Sequence, residues 1–228
     1  MLVLALLCSF ATPGRITRVQ LVMESTTVEK GKKVISKAGM YFDATNGDMV
    51  THFTYPLEQV LVSNRFGEVK VYDPNSNSVA IKQDPAFSSK GTMLHFFLGS
   101  NSTDLGLRDM GFSLTNTEYD QQHMVSTWNA PPQMAEGLSK VELVHDGYRP
   151  VFMAYHGAEN GVVRKVFFSR YQEMMGIEVP GRITEINYFE EGRDSAVTRI
   201  DFSNFLLNEQ AQSDYFNFEI PENAKVVK

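Results

Sequence analysis

From Arg15 onward, apolar and polar residues alternate with a period near two instead of the 3.6 of a helix. The runs at 39–43 (GMYFD), 49–55 (MVTHFTY), 57–63 (LEQVLVS), 68–73 (EVKVYD) and 78–82 (SVAIK) are short and rich in β-branched or aromatic residues. They read as strands. Turn residues separate them: Thr45-Asn46-Gly47-Asp48, Tyr55-Pro56, Arg65-Phe66-Gly67 and Asp73-Pro74-Asn75. Asn-Gly suits a tight hairpin and Asp-Pro-Asn opens a turn, so neighbouring strands run antiparallel. Further runs follow at 112–119, 123–129, 138–145, 151–156, 162–171, 182–190 and 196–207. With an N-terminal pair beginning in the stretch 15–29, the pattern predicts eleven to thirteen strands. No fixed-period repeat and no low-complexity linker interrupts them, which predicts one domain over 15–228.

One stretch departs from this alternation. Residues 90–107 (KGTMLHFFLGSNSTDLGL) cluster Met93, Leu94, Phe96, Phe97 and Leu98 between Thr92 and Gly99. Thr92 suits the cap of a short helix and Gly99 its end. Leu105 and Leu107 extend the apolar patch. A helix this apolar between strands either plugs an open barrel or joins an ordinary core.

The strand faces raise a related question. In 196–207 one set of alternate positions holds Thr198, Ile200, Phe202, Asn204 and Leu206; the other holds Val197, Arg199, Asp201, Ser203 and Phe205. In 164–171 Val166 and Phe168 share one face, and alternation puts Phe167 and Tyr171 on the other. A sheet with one wet face needs only one apolar face. Strands apolar on both imply a cover, either a helix or a bound hydrophobe. Flexible methionines such as Met93, Met110, Met124 and Met153 suit a lipid pocket as well as a tight core.

The N-terminus differs from the rest. Met1 to Ala11 (MLVLALLCSFA) is too short to cross a bilayer and has the length of the apolar region of a secretory signal, with a boundary near Pro13-Gly14. It lacks the usual basic start, and a buried first strand is the other reading. Cys8 follows Leu7, whereas a lipidation site wants a small residue there, so lipidation at Cys8 is the lesser alternative. Without residues 1–14 the chain holds no cysteine and gains nothing from disulfides.

Composition narrows the function classes. With 21 basic and 27 acidic residues the net charge is −6, which argues against a nucleic-acid partner. The chain carries 16 Phe, 9 Tyr and 11 Met, ample for a core and a pocket. The five histidines, His52, His95, His123, His145 and His156, show no metal-ligand spacing. No Gly-x-Ser-x-Gly elbow, phosphate-cradling loop or dinucleotide fingerprint occurs, so no cofactor is expected. Glu190-Glu191 runs into Gly192-Arg193-Asp194 and reads as a hairpin tip, and Asn101-Ser102-Thr103 is an isolated glycosylation-like triplet. No enzymatic activity is predicted.

The segment 53–81 (FTYPLEQVLVSNRFGEVKVYDPNSNSVAI) resembles the LolA-like lipoprotein-carrier family in Tyr55-Pro56, Val60 to Ser63, Gly67, Val71-Tyr72-Asp73-Pro74 and Asn77-x-Val79. Pro180-x-Arg182-Ile183, Ile200 to Asn204 and the ending Phe216 to Pro221 (FNFEIP) extend the similarity over most of the chain. The resemblance implies a mainly β fold: an unclosed, strongly curved antiparallel half-barrel with short helices forming a lid. It implies a monomeric periplasmic carrier that shields lipid or lipoprotein acyl chains during sorting to the outer membrane. Envelope proteins would donate or accept the lipid. A sensing or structural module of the same fold, bound to a protein partner, is the alternative. On this reading residues 92–98 form the lid, and Val60, Val62, Val69, Val71, Met93, Leu94, Phe96 and Phe97 are the lipid-binding candidates. Two features depart from well-characterised carriers. The stretch 15–29 reads as strand where those proteins have an amphipathic helix, and 41–46 (YFDATN) lacks their inward arginine.

Overall fold

The computed structural model describes residues 16–83, 93–98, 103–189 and 192–227. The apolar leader with Cys8, the proposed caps Thr92 and Gly99, Asn101-Ser102 and Glu190-Glu191 lie outside these residues.

Fourteen strands form one sheet. The first six are β1 (Arg18–Glu29), β2 (Lys32–Asp43), β3 (Asp48–Tyr55), β4 (Gln59–Ser63), β5 (Glu68–Asp73) and β6 (Ser78–Gln83). A short helix, α1 (Met93–Leu98), precedes β7 (Ser113–Asp120), β8 (His123–Asn129), β9 (Lys140–Asp146) and β10 (Arg149–His156). Then come β11 (Val162–Met174), β12 (Ile177–Phe189), β13 (Asp194–Leu207) and the short β14 (Lys225–Val227). The spatial order is β14-β6-β5-β4-β3-β2-β1-β13-β12-β11-β10-β9-β8-β7. All pairs are antiparallel except β14 with β6. Two meanders, β1–β6 and β7–β13, thus meet where β1 pairs with β13. The far edges do not pair with one another, so the sheet is unclosed.

The chain leaves β6 on one side of the sheet and re-enters as β7 at the opposite edge. The described part of this connection, α1 and residues 103–112, lies on the concave face. Phe97, Leu105, Leu107 and Phe112 pack there with Val19 and Leu21 of β1, Phe42 of β2, Trp128 of β8, Leu143 of β9, Phe168 of β11 and Phe202 of β13. Contributions from strands so far apart in the order require the sheet to curl around its own crossover. Gly106 permits the close packing: its φ is +78° and a Cβ there would overlap the Phe96 ring.

The opposite, convex face has its own cover over β2–β6. After β13 the chain crosses back along residues 211–224, and Tyr215, Phe218, Ile220 and Ala224 pack on Val50, Val60, Tyr72 and Val79. Tyr215 stacks on Tyr41 at 4.9 Å and on His52 at 4.6 Å. Ser213 Oγ accepts from the Tyr215 amide, and β14 completes the strap by pairing with β6.

Two residues with left-handed backbone overturn the face assignments that alternation predicts. Arg170 in β11 and Asn204 in β13 have φ of +57° and +54°. At Asn204 the register against β1 slips by one residue, which shifts the side chains beyond it by one face, whereas Arg170 stays in register with β12 and turns the chain only locally through its left-handed backbone. Tyr171 therefore joins Phe168 on the concave side and touches Phe97, with ring centroids 6.2 Å apart. Phe205 likewise packs with Phe202, while Leu206 is exposed. Opposite Arg170 sits Gly181, where a Cβ would lie 2.7 Å from the Arg170 carbonyl oxygen, so only glycine fits across from it.

Candidate functional site

A cavity of about 620 Å³ opens at one end of the concave face, between α1 and the β9–β10 and β11–β12 hairpins. This is the size of an ordinary small-molecule site. Phe97 and Leu98 of α1 form its roof; Pro150, Tyr171 and Ile177 form apolar wall; Tyr148, Arg149, Glu173 and Glu178 stand at the rim. Phe97 is 2% exposed and meets Phe168 and Tyr171 with tilted rings at 5.8 and 6.2 Å. It belongs to the buried core and to the cavity lining at once.

An ion pair braces the rim of the opening. Arg149 Nε donates to Glu178 Oε2 at 2.6 Å and Arg149 Nη2 donates to Glu178 Oε1, linking the first residue of β10 to the start of β12. The same guanidinium lies over the Tyr171 ring at 5.8 Å. Its hydrogen bonds hold the Glu178 carboxyl below the usual carboxylate range and raise the Arg149 pKa in turn. Tyr171 Oη donates to the Pro150 carbonyl. Burial pushes the Tyr171 hydroxyl pKa up, so it stays a neutral donor.

Further along the concave wall, His145 of β9 is 2% exposed, and among the described residues neither ring nitrogen has a hydrogen-bond partner of ordinary geometry. Burial lowers its pKa, with a smaller opposing effect from the Thr103 backbone. The ring is thus a neutral, apolar-packed wall element.

The eight side chains singled out from the sequence do not converge on one surface. Phe96 and Phe97 lie on α1, Phe97 buried and Phe96 half-buried; Met93 and Leu94 belong to the same helix. Val69 and Val71 of β5 point to the concave side, as their register with Ser63 and Leu61 requires. Val60 and Val62 point the other way and pack beneath the C-terminal strap. The alternation was legible, but which phase faced inward was not, because the strap makes both faces of β4 apolar. Tyr171, Pro150, Ile177 and the Arg149–Glu178 pair were not anticipated. The sequence signal for Tyr171 is Gly181, a glycine within a strand that marks the close approach of the Arg170 backbone across from it.

No family model matches the chain, and no curated protein matches it. Solved structures do. A LolA superfamily protein from Nitrosomonas europaea superposes with a TM-score of 0.59 at 14% identity, over 89% of this chain and 90% of that one. The fold is LolA-like. A DUF1329 family protein from Desulfovibrio piger gives 0.60 at 16% identity, over 90% of each chain. A proposed outer membrane lipoprotein-sorting protein domain from Vibrio parahaemolyticus gives 0.60 at 14% identity, over 88% of this chain and 89% of that one. The LolA-like likeness spans nearly the whole chain and agrees with the unclosed antiparallel sheet expected from 53–81 and 180–221. Residues 18–29 form β1, as their alternation predicts, and Arg18 at its start pairs with Asp43 of β2 at 3.2 Å.

Proposed function

We propose that the protein is a periplasmic, non-catalytic carrier that shields acyl chains of lipids or lipoproteins in its concave cavity. The observation that carries this reading is the 620 Å³ cavity roofed by Phe97 and Leu98, on the inner face of an unclosed LolA-like sheet. Transfer of an acyl chain from water to such a wall yields about 0.8 kcal/mol per methylene. The Arg149–Glu178 pair and α1 close over the cavity, and loading requires their displacement. Support for a role in lipoprotein sorting comes from the lipoprotein-sorting domain among the structural neighbours. Donor and acceptor proteins of the envelope would then exchange cargo at this mouth. Phe97 is assigned to the cavity roof; Val69, Val71 and Phe96, with Met93 and Leu94 on the same helix, lie outside its lining and are assigned to cargo on the rest of the concave face. Val60 and Val62 are assigned to the strap.

A second reading, a sensing or structural module that binds a protein partner, draws support from the packing of Phe97, Leu105, Leu107 and Phe112, which already fills much of the concave face. Native mass spectrometry of the protein isolated from a cell envelope, followed by titration with a fluorescent fatty acid, separates the two. A co-purifying lipid, or saturable probe binding that Leu98→Asp abolishes, supports carriage. An empty protein that ignores the probe refutes it and leaves the second reading.

A further inference from the structure

The strap covers the convex face only over β2–β6, and the other half of that face carries an unusual surface. Register places Val125, Val144, Phe152 and Phe167 side by side across β8, β9, β10 and β11. These side chains face outward: Phe167 is 38% exposed, and the Phe152 and Phe167 rings lie 5.0 Å apart. Adjoining this row, three arginines converge on one carboxylate. Arg182 donates to Asp201 Oδ1 from Nε at 2.6 Å and Nη2 at 2.5 Å. Arg199 Nε lies 3.2 Å from Asp201 Oδ2, and Arg170 Nη1 lies 3.8 Å from Oδ1. Arg170, whose backbone is left-handed at φ +57°, supplies the third guanidinium of this group. Lys165, over the Tyr188 ring at 5.6 Å, adds another cation on the same face. The neighbouring Glu24 is already paired with Lys37 at 3.0 Å.

Three guanidiniums sharing one carboxylate leave two positive charges unbalanced, within a chain whose net charge is −6. Self-repulsion and exposed aromatic area both disfavour this arrangement in water. One kind of surface relieves both: phosphate groups at the level of the guanidiniums, with an apolar layer beneath for the phenyl rings.

We propose that the convex face of β10–β13 docks the protein on an anionic phospholipid bilayer. Docking uses the face opposite the cavity, so it needs no cargo and stands or falls apart from the carrier reading. The test is co-sedimentation of the full chain with vesicles of phosphatidylcholine alone or mixed with phosphatidylglycerol. Binding is expected to the mixed vesicles only and to weaken with added salt. Each basic residue near an anionic surface is worth about fivefold in partitioning, so Arg170→Gln with Arg199→Gln lowers it about 25-fold. Both side chains are more than half exposed, at 64% and 51%, so circular dichroism is expected to remain unchanged. The control pair Lys32→Gln with Lys82→Gln removes the same charge elsewhere and leaves binding intact. Phe167→Ser weakens binding at fixed charge. Absence of binding to mixed vesicles, equal losses in the two pairs, or preference for an acidic peptide over the vesicles each overturns the proposal.

Discussion

Phe97 offers the sharpest test of whether α1 is a lid. A buried Phe→Ala substitution in a rigid core costs about 3–5 kcal/mol. In a chain of this size that corresponds to a fall in Tm of roughly 6–20 °C. A detachable element behaves differently, because the loss cannot exceed what it costs to let the element go. Docking α1 buries Phe97, worth about 3 kcal/mol, and half-buries Phe96 and Leu98, worth about 2 kcal/mol together. The ring contacts to Phe168 and Tyr171 add about 2 kcal/mol. Against this, fixing the backbone of the six residues of α1 costs roughly 6–9 kcal/mol. The terms nearly cancel, so undocking is close to free and caps the penalty. Phe97→Ala is therefore expected to lower Tm by less than about 4 °C while speeding amide exchange in α1 and weakening probe binding. Leu107→Ala is the counterpart: Leu107 is 0% exposed and does not line the cavity, so it should cost about 2–5 kcal/mol and lower global Tm in proportion. Differential scanning calorimetry with hydrogen-exchange mass spectrometry reads both. If Phe97→Ala lowers Tm as far as Leu107→Ala without selective exchange in α1, the helix is core and the lid reasoning fails.

Three further outcomes follow from the same geometry. His145 is held neutral by burial, its pKa below the ordinary 6.5, so the unfolded chain takes up the proton more readily. Its contribution to stability is complete above about pH 6.5 and is lost as pH falls below that, by up to about 1.4 kcal/mol per pH unit; chemical denaturation of His145→Leu should show that slope removed. Ile177→Asn should weaken fatty-acid binding and Val62→Asn should not, because Ile177 lines the cavity while Val62 packs beneath the strap on the opposite face of the sheet; equal effects in titration would contradict the assignment. Tyr215→Ala removes the stacking on Tyr41 and His52 and should cost about 1.5–3 kcal/mol in a thermal melt while leaving ligand binding unchanged.

Much of the strand framework was legible because local rules decide it. The run 68–73 is β5 and 123–129 is β8, each bounded by turn residues that stop a strand for steric reasons. The six residues 93–98 read as helix and form α1. What alternation could not reveal was anything set by a partner distant in sequence. The strap 211–224 has no period of its own, and its position depends on Val50, Val60 and Tyr72 far upstream. The left-handed backbone at Arg170 and the bulge at Asn204 depend on the facing strands, and Tyr171 and Phe205 join the concave side. Of the residues picked from the sequence, Phe97 lines the cavity, Val69 and Val71 of β5 do not, and Tyr171 was missed because the pattern pointed it outward.

The meeting of β1 with β13 has a consequence for how the chain is made. Every other antiparallel pair joins consecutive strands, whereas Val19 must find Leu207 across most of the polypeptide. As the chain emerges N-terminus first, β1–β6 can zip up by local turns alone, leaving one long flank of β1 with its amides and carbonyls unmatched until β13 arrives. During that interval the half-made molecule presents a sticky border of twelve residues. A newly made chain of this kind calls for prompt completion or a holding chaperone, and slowing synthesis near residue 190 should raise aggregation more than slowing it near residue 90.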